Sequence, residues 1–370
     1  MGEINMFDGL TSTNIASYWQ TRQQQEAPYL GEILFPNTKQ ASHTVTFYRG
    51  LTRAPQALKP SSLDANAIVR DRQGFESVTA QTHFFKESKY IDENLRQELG
   101  NLNGSNDQQR RQIILDRIFN DSVELARGAA LTREIARMQL LTTGQFTLAG
   151  NGQVYHEDFG MNQDHISNPY GWWGGPNSDP QSDFTKAIDT IGNESGATIT
   201  RAVMNRKTFQ SLIRDNNIKS TLLANNANTG AITIPRQVML GYLQDEFGIT
   251  VQVYDKGYSD ANGKFTKFIP DGKVAFLPAE TLGQTVFSPT PEETDLVVKP
   301  DADVSFVDTG VAIATATKFD PVTRETKVSQ RFLPTFEQID NVYILDAFNG
   351  RPGTDGGDAG NTEPETPPEG

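Results

Sequence analysis

The sequence predicts an α+β protein organised around one long helix. Three observations carry that prediction: an unbroken helical pattern over residues 107–141, alternating helix and strand patterns over about 180–285, and mostly strand-like segments from Val286 to Phe348. The first is the longest uninterrupted pattern in the chain. Leu115, Ile118, Val123, Ala126, Ala130, Ile135, Met138 and Leu141 recur at helical spacing. Ser105 and Gln108 have the spacing of a capping box, and Gly144 stands just past the last apolar residue, where helices end. Charged residues fill the gaps, among them Arg117, Asp121, Glu124, Arg127, Arg133, Glu134 and Arg137, and opposite signs three or four apart predict an exposed face. At about 1.5 Å per residue the rod is roughly 50 Å long. A helix of that length needs a long partner for its apolar face, and the strands of residues 286–348 are the expected one. Gly128 lies mid-helix, where glycine costs roughly 1 kcal/mol against alanine, and is expected to mark a bend.

The other elements follow in order. Thr11–Gln25 reads as a short helix with Ile15, Tyr18 and Trp19 on one side, and the proline-punctuated stretch Ala27–Pro36 as extended, either a domain edge strand or an arm laid on a neighbouring subunit. His43–Arg49 and Phe75–Tyr90 read as strands around a polar excursion of roughly twenty residues, a loop length associated with function or disorder. Gln145–Phe159 reads as a hairpin turned at Asn151-Gly152. Asp179-Pro180 opens a helix with Phe184, Ala187, Ile188 and Ile191 on one face. Then come a strand at Thr198–Met204, helices at Arg206–Asn216 and Arg236–Phe247, a strand at Ile249–Tyr254, a hairpin at Tyr258–Phe268 and a strand at Lys273–Leu277. Asp303–Phe306, Val311–Lys318, Thr326–Phe332 and Val342–Asp346 are the late strands. Residues 351–370 hold almost nothing apolar and are expected to form a flexible acidic tail.

Composition narrows the function. There are 33 basic against 46 acidic residues, a net charge of −13, which argues against a surface built to grip nucleic-acid phosphates. The absence of cysteine excludes disulfides, thiolate metal sites and cysteine nucleophiles. No apolar run is long enough for a membrane-spanning helix, and the first twenty residues lack the basic start and apolar stretch of a signal peptide. His156, Glu157, Asp158 and His165 match no zinc spacing. Asp255 and Asp260–Gly263 lack the order and the closing glutamate of a calcium loop, so Asn262-Gly263 reads as a hairpin turn. The aromatic loop Gly171–Pro176 reads as a linker docked on a core rather than a ligand-stacking loop. Neither a phosphate-cradling glycine loop nor a nucleophile elbow occurs. No catalytic, cofactor-binding or metal-binding residue is therefore assigned, and no cofactor is expected.

The order of these parts carries a resemblance. The long helix ending in Met138–Gly144 runs into the hairpin GQFTLAGNGQVYHEDFGM; WWGGPNSDPQSD follows at Trp172–Asp183; TRAVMNRKTFQSLI and the late pieces Phe268–Pro270 and Val274–Pro278 complete the series. In this sequence of features, over roughly residues 15–348, the chain resembles the major capsid proteins of tailed bacteriophages with the Hong Kong 97-type fold. Within them it is most similar to the phage lambda major head protein, or capsid protein E, family. The resemblance implies an N-terminal arm at 1–40, an extended loop at 41–91 lying over a neighbour, a discontinuous peripheral domain at 92–179 and 286–350 containing the spine helix 107–141, and an axial domain at 180–285. It implies no enzymatic activity, but self-assembly into pentamers and hexamers of an icosahedral shell around double-stranded DNA, without sequence-specific binding or a membrane. The implied location is the virion, after assembly in the host cytoplasm, and the implied partners are a scaffolding protein, a portal and a decoration protein. Some relatives cross-link through a loop lysine; Lys59, Lys86 and Lys89 match no such pattern, so that property is not carried over. An encapsulin-like compartment shell and a soluble enzyme with an α/β domain are the competing expectations.

Overall fold

A computed structural model describes residues 11–23, 27–49, 76–91, 108–222, 233–260, 263–296, 302–318 and 323–349, with a few isolated positions between them. The chain begins with helix α1 (Ser12–Gln23), the short helix α2 (Leu30–Leu34) and strands β1 (Asn37–Lys39), β2 (Thr44–Arg49), β3 (Glu76–Gln81) and β4 (His83–Ile91). The long helix α3 (Gln108–Thr143) follows, then strands β5 (Gln145–Gly150), β6 (Gln153–Asp158) and β7 (Ile166–Ser167). The middle of the chain forms α4 (Pro180–Glu194), β8 (Ile199–Met204), α5 (Arg206–Arg214), α6 (Asn216–Leu222), α7 (Arg236–Phe247), β9 (Thr250–Val253), β10 (Gly257–Ser259), β11 (Phe265–Lys267) and β12 (Lys273–Pro278). The last elements are β13 (Thr285–Phe287), β14 (Ala302–Val307), β15 (Val311–Lys318), β16 (Thr323–Pro334) and β17 (Tyr343–Asp346).

With 36 residues, α3 is about 54 Å long. The partner expected for its apolar face is there: α3 lies along β16, the longest strand at 12 residues. One edge of β16 pairs with β15 and β13 in turn and the other with β4, in a six-stranded sheet completed by β1 and β14. Near its middle, α3 packs with α1, whose Ile15 and Trp19 meet Val123 and Ala126 of the helix and Val311 and Ile313 of the sheet. At its end, Met138, Leu140 and Leu141 enter a second core with Leu34, Phe35, Phe287 and Phe332.

The second sheet is mixed, in the order β7-β17-β12-β8-β9. Helices α4, α5 and α7 cover it through Phe184, Ile191, Leu212, Met239 and Leu243, which form the third core with Val274 and Phe276. The terminators act as their chemistry requires. Asp179 caps α4 by accepting from the Ser182 N–H, and Asn205 caps α5 by accepting from the Thr208 N–H. At the β5–β6 turn Asn151 and Gly152 take φ of 52° and 75°, the left-handed pair of a tight hairpin.

Several expectations change. The two readings of Ala27–Pro36 resolve in favour of packing within the chain: this stretch forms α2, Leu34 and Phe35 are buried, and β1 just after it adds in parallel to β13 as an edge strand. Residues 41–91 are not one excursion. β2 and β3 form a separate two-stranded ribbon, while β4 is a full member of the large sheet; the tip between β2 and β3 lies outside the described residues, apart from a few isolated positions. Residues 286–350 do not all stay with the spine. β17 pairs with β12 in the second sheet, because its run Tyr343-Ile344-Leu345 is apolar on both faces and needs a position covered on both sides. On its other edge β17 pairs in parallel with Ile166 and Ser167 of β7, so the 92–179 segment also contributes a strand to this sheet. The helix read as Arg206–Asn216 is two, α5 and α6, broken at Asp215. Ser105 and the acidic tail lie outside the described residues.

A Cβ at Gly128 would meet nothing within 4 Å. Gly128→Ala is therefore expected to raise stability by up to about 1 kcal/mol, read from the urea midpoint at constant slope; a lower midpoint would show that the helix needs glycine there.

Candidate assembly surfaces and the buried junction beneath them

The most consequential side chains lie on the last turns of α3, and they correct the sequence reading. Charge spacing predicts Arg133, Glu134 and Arg137 on an exposed face, yet all three are buried. This end of the helix is enclosed on every side: α2 and β1 cross one face, the large sheet covers another, and the β9 end of the second sheet reaches a third. Charges so enclosed persist only when paired and hydrogen-bonded. Glu134 accepts the Gly31 N–H at 3.1 Å and the Tyr254 hydroxyl at 2.8 Å. Arg137 donates through Nε to Thr285 Oγ1 at 2.8 Å and through Nη2 to Asn37 Oδ1. Arg133 donates to Gln330 Oε1 at 2.8 Å and to Asp308 Oδ2 at 3.0 Å.

Three neighbouring residues thus tie the spine to α2 and β1, to the large sheet and to the second sheet. Their electrostatics reflect the burial. Burial pushes the Glu134 carboxyl up, against the opposing pull of Tyr254, Gly31 and Arg137. Arg137 is lowered to about 10, first by burial and then by the like charge of Arg133. Gly31 is obligatory here, since a Cβ on it would stand 2.7 Å from Arg137 Cδ. The signal in the sequence is breadth: Leu131, Ile135, Ala136, Met138, Leu140 and Leu141 cover more than one stripe of the helix, which marks a segment buried all round.

The aromatic loop docks, as its residues predict. Trp173 is buried, its Nε1 donates to Asp183 Oδ2 at 2.7 Å, its N–H donates to the Ala347 carbonyl, and its ring stacks on Phe184. Burial lifts the Asp183 carboxyl from 3.8 to about 6, with Asp179 adding to the rise. Tyr170, beside it, is 91% exposed on the rim of an open cleft of about 410 Å³.

The remaining sequence candidates are separated from one another. His156 pairs with Thr147 across the β5–β6 hairpin, His83 with Glu157, and His165 with Glu194. Among the described residues no three metal-ligating side chains stand together. Asp255 joins Arg206 and Lys267, while Asp260 caps the β10–β11 turn through the Lys264 N–H. Lys89 bridges Asp121 and Glu124 of α3, Lys86 stands over Phe84, and Lys59 lies outside the described residues. The exposed large apolar side chains among the described residues are dispersed: Tyr48, Val154 and Phe265 on the three hairpins, Tyr170 on the loop, and Ile33, Tyr90, Val238 and Phe306 on helices and sheet strands.

A mixed α+β chain with a spine helix under a long sheet, a second helix-covered sheet and projecting hairpins has the architecture of shell proteins of the Hong Kong 97-type fold. The sequence matches the family described as phage major capsid protein E over residues 11–347, and the chain belongs to that family. Among solved structures, a protein ascribed to a prophage capsid in Escherichia coli CFT073 is similar at 14% identity and a TM-score of 0.56, covering 91% of this chain and 98% of that one. A phage-related protein from Bordetella bronchiseptica RB50 is similar at 14% identity and a TM-score of 0.50, covering 91% and 97%. At these identities the likeness concerns the fold. No curated protein matches the sequence. As a phage major capsid protein, the chain is a structural component of the virion shell.

Two outcomes are expected. Arg137→Ala strands Asn37 Oδ1, removes one bond of Thr285 and leaves Glu134 with Lys256 as its remaining cation, so it should cost about 3 kcal/mol; a urea midpoint near the parent's would contradict the junction's role. For Asp183 the folded value lies above the unfolded one, so the folded chain holds this proton more tightly. Its contribution is full below about pH 4 and is lost as pH rises through about 6. The stability of Asp183→Asn relative to the parent should therefore rise by roughly 2–3 kcal/mol between pH 4 and 7. Melts across that range check it, and a constant difference would refute it.

Proposed function

We propose that copies of this chain assemble into pentamers and hexamers that close an icosahedral shell around double-stranded DNA. The observation that carries this reading is the β2–β3 ribbon. It pairs with no other strand among the described residues, and its inner residues Val45 and Phe47 anchor it to the core while Tyr48 faces outward. An isolated two-stranded ribbon is marginal in water, and a neighbouring subunit would cover its open face. Family membership supports the same reading. On it, the part of residues 41–91 that carries the β2–β3 ribbon is the loop laid over a neighbour, β4 belonging to the large sheet, and the unit of residues 180–285, now joined by β17, is the axial domain at the five- and six-fold axes. Most of residues 92–179 and of 286–350 form the peripheral domain, the segment 1–40 is the arm, whose part at 30–39 packs on its own chain, and 351–370 are an acidic tail.

The remaining assignments extend this reading. Assembly takes place in the host cytoplasm with a scaffolding protein, around a portal, with a decoration protein as a further partner. The chain performs no catalysis. The net charge of −13 suits a container, since a lining that held phosphates tightly would oppose packing and release of DNA. Negative-stain microscopy of the chain, alone and co-expressed with its scaffold, tests the proposal. Uniform shells, tubes or sheets of hexamers are expected, and shells filled with cargo enzyme in place of DNA would favour a cellular compartment. A monomer or dimer under every condition would overturn it.

A further inference from the structure

A cavity of about 230 Å³ lies between the end of the N-terminal segment and the middle of the spine helix. Trp19 and Tyr29 wall it on one side, and Arg127, Arg133, Arg137 and Lys256 contribute to its lining. Among the described residues Glu32 is the one carboxylate in that lining, and it already accepts a hydrogen bond from Asn37. The guanidinium ends of Arg133 and Arg137 are engaged with Asp308, Gln330, Thr285 and Asn37. Lys256 Nζ donates to the Ala27 carbonyl and stands 5.0 Å from the Tyr29 ring centre, and the carboxylate whose charge it feels is Glu134, behind the lining. Within the lining of this partly enclosed space cations outnumber carboxylates, with Asp308, Glu134 and Glu124 as the acids behind them.

Two buried donors of the same lining have no acceptor among the described residues. The Trp19 Nε1–H and the Arg133 Nε–H are both without a partner, on residues only 4% and 3% exposed. Buried donors are almost always satisfied, so two left open beside one cavity point to an acceptor that occupies it. A space of this size holds several water volumes at about 30 Å³ each, or one small oxyanion with its hydration. The mutual effect of Arg133 on Arg137, which lowers the Arg137 value, is relieved by negative charge placed nearby.

We propose that this cavity is an oxyanion-binding site, taking a single phosphate or carboxylate group beside Arg127 and Lys256 with the Trp19 indole as a further donor. Two sources present that chemistry. One is free phosphate; the other is the set of carboxylates at Asp355, Asp358, Glu363, Glu365 and Glu369 of the chain's own last twenty residues. Occupancy joins α1 and the Ala27–Tyr29 connection to the spine, so the anion acts as a fastening for the N-terminal segment. The inference does not depend on shell assembly, because it concerns a cavity within one subunit.

The test is thermal melting of the unassembled 370-residue chain against inorganic phosphate, with ionic strength held constant by chloride so that general screening is matched. The midpoint should rise by a few degrees and saturate, as linkage to a single site requires. Arg127→Ala combined with Lys256→Ala removes two exposed cations from the lining and should abolish the rise; the phosphate-free midpoint stays nearly unchanged if the occupant is free phosphate and falls if it is the tail. Trp19→Phe keeps an aromatic ring and should weaken phosphate about tenfold, the value of one hydrogen bond to a charged group. Neutralising the five side-chain carboxylates of the tail to amides, with the terminal carboxyl of Gly370 also amidated, distinguishes the sources. A tighter apparent affinity for phosphate then identifies the tail as the resident occupant, and an unchanged affinity identifies a free anion. A rise that does not saturate, or one equally large in the double variant, would overturn the site, as would no rise in either the parent or the tail-neutralised chain.

Discussion

Burial of three charges on successive turns at the end of the spine helix is the constraint on which the rest of the structure depends. Arg133, Glu134 and Arg137 stand where the helix is covered on all sides, and none can be exposed without opening a layer. Their partners come from positions as far apart as Gly31, Tyr254, Thr285 and Gln330. Hydrophobic burial alone would allow these layers to slide, because apolar contacts are non-directional. Directed hydrogen bonds from a rigid helix permit one register. A charge left without its partner in such a place costs several kcal/mol, so the junction assembles as a unit.

That junction explains how one chain supports parts with little core of their own. α2 and β1 are short, yet Gly31 and Asn37 clamp them to the spine, and Leu34 and Phe35 are then held in the core. β1 adds to the edge of the large sheet and covers backbone groups that would otherwise be open. The second sheet is anchored by Tyr254 at one end and by Trp173 and β17 near the other. The hairpins project from this frame. They present Tyr48, Val154 and Phe265 without distorting the cores, an arrangement suited to a protein whose work is contact with its own copies.

The buried acids add sensitivity to conditions. Glu134, Asp183 and Asp340 are all raised, each first by burial, so the folded chain takes up protons on acidification more readily at these sites than the unfolded chain does. Glu292 moves the other way: burial opposes ionisation, but Lys327 and Ser329 together outweigh it. The raised acids sit where layers meet, and the lowered one braces the large sheet through β16.

Periodicity and turn chemistry in the sequence determined the elements: the spine from Gln108 to Thr143, the Asn151-Gly152 hairpin, the capped helices opening after Asp179 and Asn205, and the α+β class. These are local matters, decided by side-chain spacing and by which residues tolerate a cap or a left-handed turn. The order of the elements was enough to indicate a capsid protein. Tertiary structure alone decided which sheet a strand joins. Tyr343–Asp346 reads as an apolar strand in any context, and only the gap between β12 and β7 placed it. It also decided that Arg133, Glu134 and Arg137 are internal. Charge spacing on a helix is the same whether it faces water or a matching set of distant partners, and those partners are brought to it only when the chain is folded.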